Sequence, residues 1–166
     1  MKQLTWNSFT KKICINSDIE KLFWCWSTQE GICSWFLKNT VYERNGKEID
    51  SQTTIQSGDL YTWMWHNWDG QEEGKIIDVK KNEFVKFSFA GNCEVLISFE
   101  QKDNAVLVSL TQSNIPIDEK SKLEIFYGCS NGWTFWLTNL EHGILLNETK
   151  IDLRGFDLAG YEFVNM

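Results

Sequence analysis

The segment YTWMWHNWDG (61–70) gathers the side chains of this chain that could most readily do chemistry. His66, one of only two histidines, stands three positions before Asp69. An imidazole beside a carboxylate can act as a general base with its orienting partner. A strand-end histidine next to a turn aspartate would give the same sequence pattern and would need no chemistry.

No other catalytic signature supports the first interpretation. The sequence contains no GxSxG elbow, HExxH helix, P-loop or GxGxxG fingerprint. A metal site at His66 would need about two or three further ligands, and the spacing supplies none. His142, late in the chain, is better placed to complement the C-terminus of a helix. We therefore expect a protein that is not an enzyme, with no catalytic residue, no metal and no cofactor.

The cysteines give no motif either. The chain has five, so any disulfide scheme leaves one unpaired, and no two of them form a CxxC pair. We expect free, buried and reduced thiols in a cytoplasmic protein. A catalytic Cys–His arrangement stays open as an alternative, because spatial neighbours cannot be read from one sequence. The five are Cys14, Cys25, Cys33, Cys93 and Cys129.

Composition narrows the class of partner. The net charge of −7 argues against nucleic acid and anionic membranes, which both favour basic patches. We find no apolar run long enough to span a bilayer, and the segment MKQLTWNSF lacks the apolar stretch of a signal peptide. A length of 166 residues predicts a single domain, with a core at about 8–146 and a C-terminal tail at 147–166.

Hydrophobic periodicity predicts the elements that must position these residues. An opening strand at 8–17 precedes a helix at 18–28, capped by Ser17 or Asp18, and a second short helix within 28–37. A period of two then indicates six strands separated by turn-forming pairs such as Asn45-Gly46. Beyond Pro116, apolar residues at steps of three and four predict one long amphipathic helix over 117–148.

A sheet whose apolar face cannot pack on itself needs a cover, and the last helix has the widest apolar stripe. We therefore predict an α+β helix-grip fold, in the order β-α-α-β6-α, with a curved antiparallel sheet around the C-terminal helix. Gly128 and Gly132 are costly inside a helix, which suggests close approach of an aromatic side chain or a ligand.

Strand alternation assigns the tryptophan-rich segment to two faces. Tyr61, Trp63 and Trp65 should face the helix, while Met64, His66 and Trp68 face outward or toward a turn. The inward rings either fill the interior or line a small apolar cavity, and we favour the cavity. Its predicted lining consists of Trp35, Tyr61, Trp63, Trp65, Phe87, Phe89, Val95, Ile97, Cys129, Trp133, Trp136 and Leu137.

Three segments carry a resemblance to a known family: GDLYTWMWHNWDG, LTQSNIPIDEKSK and GCSNGWTFWLTNLEHGI…DLRG. The chain resembles the AHSA-type proteins of the START-like, birch-pollen-allergen-like SRPBCC superfamily over roughly residues 8–155. Its segment NLEHGILLNETKIDLRG departs from the shorter, glycine-rich link that such bacterial members have before DLR.

The resemblance implies a helix-grip fold with a ligand cavity. The family takes its name from the eukaryotic activator of the heat-shock protein 90 ATPase, and most bacterial members resemble that activator in fold only. A small hydrophobic, aromatic or lipid-like ligand is therefore the first functional hypothesis, for a monomer or weak homodimer. A chaperone-associated stress or interaction protein is the second, and a cavity-based hydrolase or cyclase is the least favoured.

Overall fold

A computed structural model of the chain describes residues 5–66 and 69–146, with side chains as far as residue 142. The strands and helices follow in this order: β1 Phe9–Ile15, α1 Ile19–Ser27, α2 Gln29–Cys33, β2 Asn39–Arg44, β3 Lys47–Glu48, β4 Leu60–Met64, β5 Gln71–Lys80, β6 Phe84–Phe89, β7 Cys93–Lys102, β8 Ala105–Ser113, α3 Glu119–Ser121, a π-helical segment Lys122–Tyr127, and α4 Gly128–Leu146. The predicted tail at 147–166 lies outside the described residues.

The described strands form one antiparallel sheet in the order β1-β8-β7-β6-β5-β4-β2-β3. This sheet and the long C-terminal helix confirm the predicted helix-grip fold. All six predicted strand segments after the short helices are present, and β3 adds a seventh strand of two residues. Asn45 (φ 54°) and Gly46 (φ 73°) turn the chain into β3. Because β2 pairs with both β3 and β4, the chain is not a strict meander at this edge.

The second short helix is shorter than predicted and ends at Cys33. Thr28 begins it by accepting the Gly31 N–H through its hydroxyl at 2.9 Å. A Cβ on Gly31 would lie 2.0 Å from the Trp24 carbonyl oxygen, so only glycine fits at this corner. Trp35 and the residue after it therefore lie in the turn beyond α2, where the Trp35 indole donates to the Cys25 carbonyl at 3.0 Å.

One long helix follows β8, as predicted, and residues 119–146 of it run without a break. We call this the C-terminal helix. Asp118 caps it, accepting from the Ser121 N–H at 3.0 Å. The periodic stripe is confirmed over its described part, because Trp133, Trp136 and Leu137 are buried. The sequence did not predict the π-helical turn at Lys122–Tyr127.

The proposed close approach of an aromatic side chain to Gly128 and Gly132 is wrong. A Cβ on Gly132 would meet no described atom within 4 Å, and one on Gly128 would meet only the Leu123 carbonyl at 3.8 Å. The helix contacts the core through larger side chains such as Trp133 and Trp136 instead. Both glycine positions are thus unfilled by the described residues.

Candidate functional site

Strand register brings the predicted residues together on the concave face of the sheet. Trp63 lies opposite Glu72, and Tyr61 lies opposite Gly74 across β4 and β5. All twelve predicted lining residues belong to one core cluster or pack against it. Their role as the lining of a cavity stays a prediction. Nine of them are buried and three, namely Trp65, Phe89 and Cys129, are partly buried.

Phe36 occupies the centre of the aromatic network. Its ring centroid lies 5.4 Å from those of Trp63 and Trp133, and 5.0 Å from that of Trp136. It therefore bridges the sheet and the C-terminal helix from the turn after α2. Phe36 was not among the predicted lining residues. The predicted helix reached Leu37, and its pattern gave no reason to prefer Phe36 to its neighbours. In this part of the interior the rings fill the space.

Tyr61 packs flat against the neighbouring strand at Gly74. A Cβ on Gly74 would lie 2.4 Å from the tyrosine ring, so the glycine creates room for that ring. The Tyr61 hydroxyl donates to the Ser88 carbonyl at 2.5 Å. Burial raises the pKa of this hydroxyl, and the charge of Glu72 raises it further. The Tyr61 side chain is thus fixed in position, and its hydroxyl is protonated at neutral pH.

Three polar groups on the concave face are buried and make no hydrogen bond of standard geometry to the described residues. They are the Tyr42 hydroxyl, the Trp63 indole N–H and the Gln112 side-chain NH₂. Burial raises the pKa of Tyr42, while a long hydrogen-bonding contact with the Trp63 indole lowers it. The Gln112 carbonyl oxygen accepts from the Trp133 indole at 3.0 Å, which fixes the orientation of the amide.

A carboxylate also lies on the concave face, at the beginning of β5. Glu72 lies directly across from Trp63, and its Oε1 accepts the Ala90 N–H at 2.7 Å. Desolvation raises the pKa of Glu72, while the Ala90 hydrogen bond lowers it. Glu72 was not among the predicted site residues, because a carboxylate in a charged segment is usually solvated. The alternation of side chains along β5 could have identified this residue, since Glu72 lies on the same face of the strand as Ile76, which is buried.

Two thiols interact electrostatically with this carboxylate, and the Gln112 amide lies beside the thiols; we call Glu72, Cys93, Gln112 and Cys129 the polar end. Burial, with smaller contributions from Cys93 and Glu72, raises the pKa of the Cys129 thiol to about 11. Burial likewise raises the pKa of Cys93, with a contribution from Glu72. The amide of Gln112 acts against both shifts. The polar end therefore joins one carboxylate, two protonated thiols and one amide.

Neither histidine nor Asp69 is fully buried. His66 is half-buried beyond the end of β4, and Asp69 is exposed. His142 Nδ1 lies 3.1 Å from the Thr138 carbonyl oxygen. Both residues belong to the C-terminal helix, whose last described residue is Leu146. Trp68 falls outside the described residues. Within residues 5–66 and 69–146, no three His, Cys, Asp or Glu side chains are placed to hold a metal ion.

The prediction of buried thiols is wrong for Cys14. This residue is exposed, because it alternates with the inward row of β1. Cys25 and Cys93 are buried free thiols, as predicted. Burial raises the pKa of Cys25 to about 12, so its thiol is protonated at neutral pH and is a poor nucleophile.

A curved antiparallel sheet closed by a long C-terminal helix, with two short helices after the first strand, defines a helix-grip protein of the START-like class. The family model described as "Activator of Hsp90 ATPase homolog 1-like protein" matches residues 16–144. The chain belongs to this family. A search of curated protein sequences returns no match. None of the helices in the described part of the chain has both the length and the apolarity to cross a membrane.

Solved structures share the fold at low sequence identity. Protein SSP2350 from Staphylococcus saprophyticus is 18% identical, with a TM-score of 0.69, and the alignment covers 86% of this chain and 94% of that one. The Aha1 dimer from Colwellia psychrerythraea is 17% identical at a TM-score of 0.67, over 86% and 98%. Protein MLL2253 from Mesorhizobium loti is 13% identical at 0.69, over 86% and 99%. At these identities the likeness concerns the fold alone.

Proposed function

We propose that this protein is a non-catalytic binding module that holds a small, mostly apolar molecule between the concave face and the C-terminal helix. One observation carries the proposal: buried polar groups on a largely aromatic face make no hydrogen bond of standard geometry within the described residues. The Tyr42 hydroxyl, the Trp63 indole and the Gln112 amide are the groups concerned. Their alignment along one face of the sheet supports a ligand with matching polar atoms.

Buried donors that lack a hydrogen bond destabilise a folded protein. Each costs about 1–3 kcal/mol in lost hydration, so native proteins pair nearly all of them with protein, water or ligand. A ligand that supplied an acceptor to two of them would recover this free energy on binding. Trp63, Phe89 and Trp133 pack together, with the Phe89 ring centroid 6.0 Å and 5.2 Å from those of the other two, and would form an aromatic wall beside its apolar body.

Native mass spectrometry of freshly purified protein tests the proposal. We expect a bound mass that denaturation releases, and saturable binding of the neutral aromatic probe 2-naphthalenemethanol followed by tryptophan fluorescence. An unliganded mass in every preparation, together with no saturable uptake of the probe, would contradict the proposal. Tyr42→Phe removes one unpaired hydroxyl without changing shape, so the variant should bind the natural ligand less tightly while its empty form is at least as stable.

An interaction protein is the second candidate, and an exposed apolar patch favours it. Trp6, Ile117, Leu123 and Tyr127 are all at least half exposed around the start of the C-terminal helix. The family description names an activator of the Hsp90 ATPase. If this function holds, the protein should raise the ATPase rate of an Hsp90 chaperone, and Leu123→Ser should reduce the effect. An unchanged rate at saturating protein would exclude it.

The partner could also be a second copy of the chain, as the description of the Colwellia structure as a dimer suggests. Analytical ultracentrifugation over a range of concentrations tests this. We expect a monomer or a weak homodimer, and a dimer that persists at nanomolar concentration would contradict the expectation. The free thiols agree with our proposal of a cytoplasmic protein.

A further inference from the structure

We infer that the polar end selects a ligand carrying a protonated amine on an aromatic or other apolar body, with the Glu72 carboxylate as its counter-charge. This inference rests on the proposed binding function and names the class of ligand. Nothing in the family description or in the related structures assigns a role to this residue. The position of Glu72 on the concave face, beside unpaired and aromatic groups, carries it.

Glu72 lies on the inward, concave face of the sheet rather than on the solvent face. It lies opposite the buried Trp63 in the antiparallel register, and residues directly opposite share one face of a sheet. The next residue, Glu73, is exposed and accepts a hydrogen bond from the side chain of Gln71 at 2.7 Å. Two adjacent glutamates thus stand on opposite faces of the same strand.

No cation among the described residues forms an ion pair with Glu72. Within the described residues, every ion pair involves other carboxylates: Asp59, Glu83, Glu94, Glu100, Glu124 and Glu119. The groups that act electrostatically with Glu72 are Tyr61, Cys93 and Cys129, all of them acids rather than bases. Within the described part of the chain, this half-buried carboxylate accepts one hydrogen bond, from the Ala90 N–H, so it is a strong acceptor for a ligand cation.

The groups near Glu72 match the other parts of such a ligand. Aromatic faces attract ammonium groups, and Trp63 stands directly across from Glu72. The Gln112 amide is fully buried, and its oxygen accepts from Trp133. Its NH₂ lies beside the Cys93 and Cys129 thiols and makes no hydrogen bond of standard geometry to a described residue. That NH₂ group can donate to an oxygen of the ligand. Amine, apolar body and oxygen acceptor together define the chemistry that the polar end recognises.

Three naphthalene probes of nearly equal shape test the inference. They are 2-naphthylmethylamine, which is cationic, 2-naphthalenemethanol, which is neutral, and 2-naphthoate, which is anionic. Binding is measured by tryptophan fluorescence and by protein-observed NMR. We expect the amine to bind about tenfold more tightly than the alcohol, as for a hydrogen bond to a charged group, and the carboxylate to bind most weakly.

Glu72→Gln is the decisive variant, because glutamine retains an oxygen for the Ala90 N–H and removes only the charge. The preference for the amine should disappear while the alcohol still binds. Glu73→Gln makes the same change of charge on the exposed face and should preserve the preference. Thermal denaturation of both variants verifies that they are folded.

The possible outcomes separate the two proposals. If all three probes bind alike and Glu72→Gln changes nothing, the amine-selective role of Glu72 is wrong but the binding module stands. If the preference persists in Glu72→Gln, the selectivity has another source and the inference is overturned. If no probe binds at millimolar concentration, the binding function and the inference both fall.

Discussion

At the scale of single residues, the concave face depends on pairs that strand parity alone does not reveal. Alternation placed Tyr61 and Trp63 inward, and their burial bears this out. It could not show that Tyr61 needs Gly74 as its cross-strand partner, because register is set by turns and bulges. It also missed Glu72, since a carboxylate in a charged segment is usually solvated.

Gly74→Ala should destabilise the protein by about 1–3 kcal/mol, the cost typical of overpacking. The new methyl group would lie 2.4 Å from the Tyr61 ring, which cannot shift without losing its hydrogen bond to Ser88. Gly132→Ala is the matched control, because no described atom lies within 4 Å of its Cβ. That variant should gain about 0.5–1 kcal/mol from helix propensity. Urea denaturation of both variants measures the difference, and equal stabilities would contradict it.

Glu72 should also affect the dependence of stability on pH. Its pKa is raised in the folded state above the ordinary value of 4.5, so the folded protein holds this proton more tightly than the unfolded chain. The folded state therefore loses stability as pH rises from about 4 through the raised pKa. Glu72→Gln cannot ionise, so its stability relative to the wild type should increase between about pH 4 and pH 7.

Denaturation midpoints at several pH values test this expectation. Glu73→Gln controls for the change in net charge, since it alters the same strand on its exposed face. A relative stability of Glu72→Gln that is constant or falls over this range would contradict the burial of the carboxylate. Tyr61, Cys93 and Cys129, which face Glu72, retain their protons over the same range because burial raises their pKa values.

At the scale of elements, the connection between β3 and β4 is held by one buried ion pair. Arg44 Nε and Nη2 donate to the two oxygens of Asp59 at 2.9 Å and 2.8 Å. Asp59 is 1% exposed and also accepts the Gln56 N–H at 2.8 Å. Arg44 reaches the Thr54 carbonyl as well, at 3.1 Å. The pair therefore orders a segment that has no regular structure of its own.

Arg44→Met should cost about 3 kcal/mol, because it leaves the Asp59 carboxylate buried without its counter-charge. The half-exposed pair of Lys86 with Glu94 offers a control of similar length, at 2.7 Å. Lys86→Met should cost about 1 kcal/mol or less, as solvent-screened pairs do. Chemical denaturation compares the two variants. A loss of the same size in both would show that the burial of Asp59 contributes nothing.

The C-terminal helix shows where element prediction stops. Its amphipathic period identified the helix and its buried residues Trp133 and Trp136, since these large apolar side chains dominate the pattern. The π-helical turn at Lys122–Tyr127 left no signal, because one wide turn changes the phase without changing the composition. In that turn Phe126 packs against Trp6 and Phe9, with ring centroids 5.0 Å and 5.4 Å apart.

At the scale of the whole molecule, the fold was far more predictable than the site. Turn pairs and alternating rows repeat along the chain, so many independent residues support the same sheet and the same covering helix. A binding site depends instead on a few exceptions to that pattern, here Glu72 and Gln112 on an apolar face. Such exceptions acquire meaning only once register shows which groups they face.

The close packing of tryptophans also gives the molecule an optical property. The indole of Trp26 lies 4.7 Å from that of Trp35 and 6.1 Å from that of Trp133 between ring centroids, at fixed mutual angles. Rings this close and rigidly oriented couple their electronic transitions, which produces paired bands of opposite sign in circular dichroism. Those bands overlap the peptide signal, so the spectrum should misstate the helix content. They also provide an internal reporter of any molecule that displaces one ring.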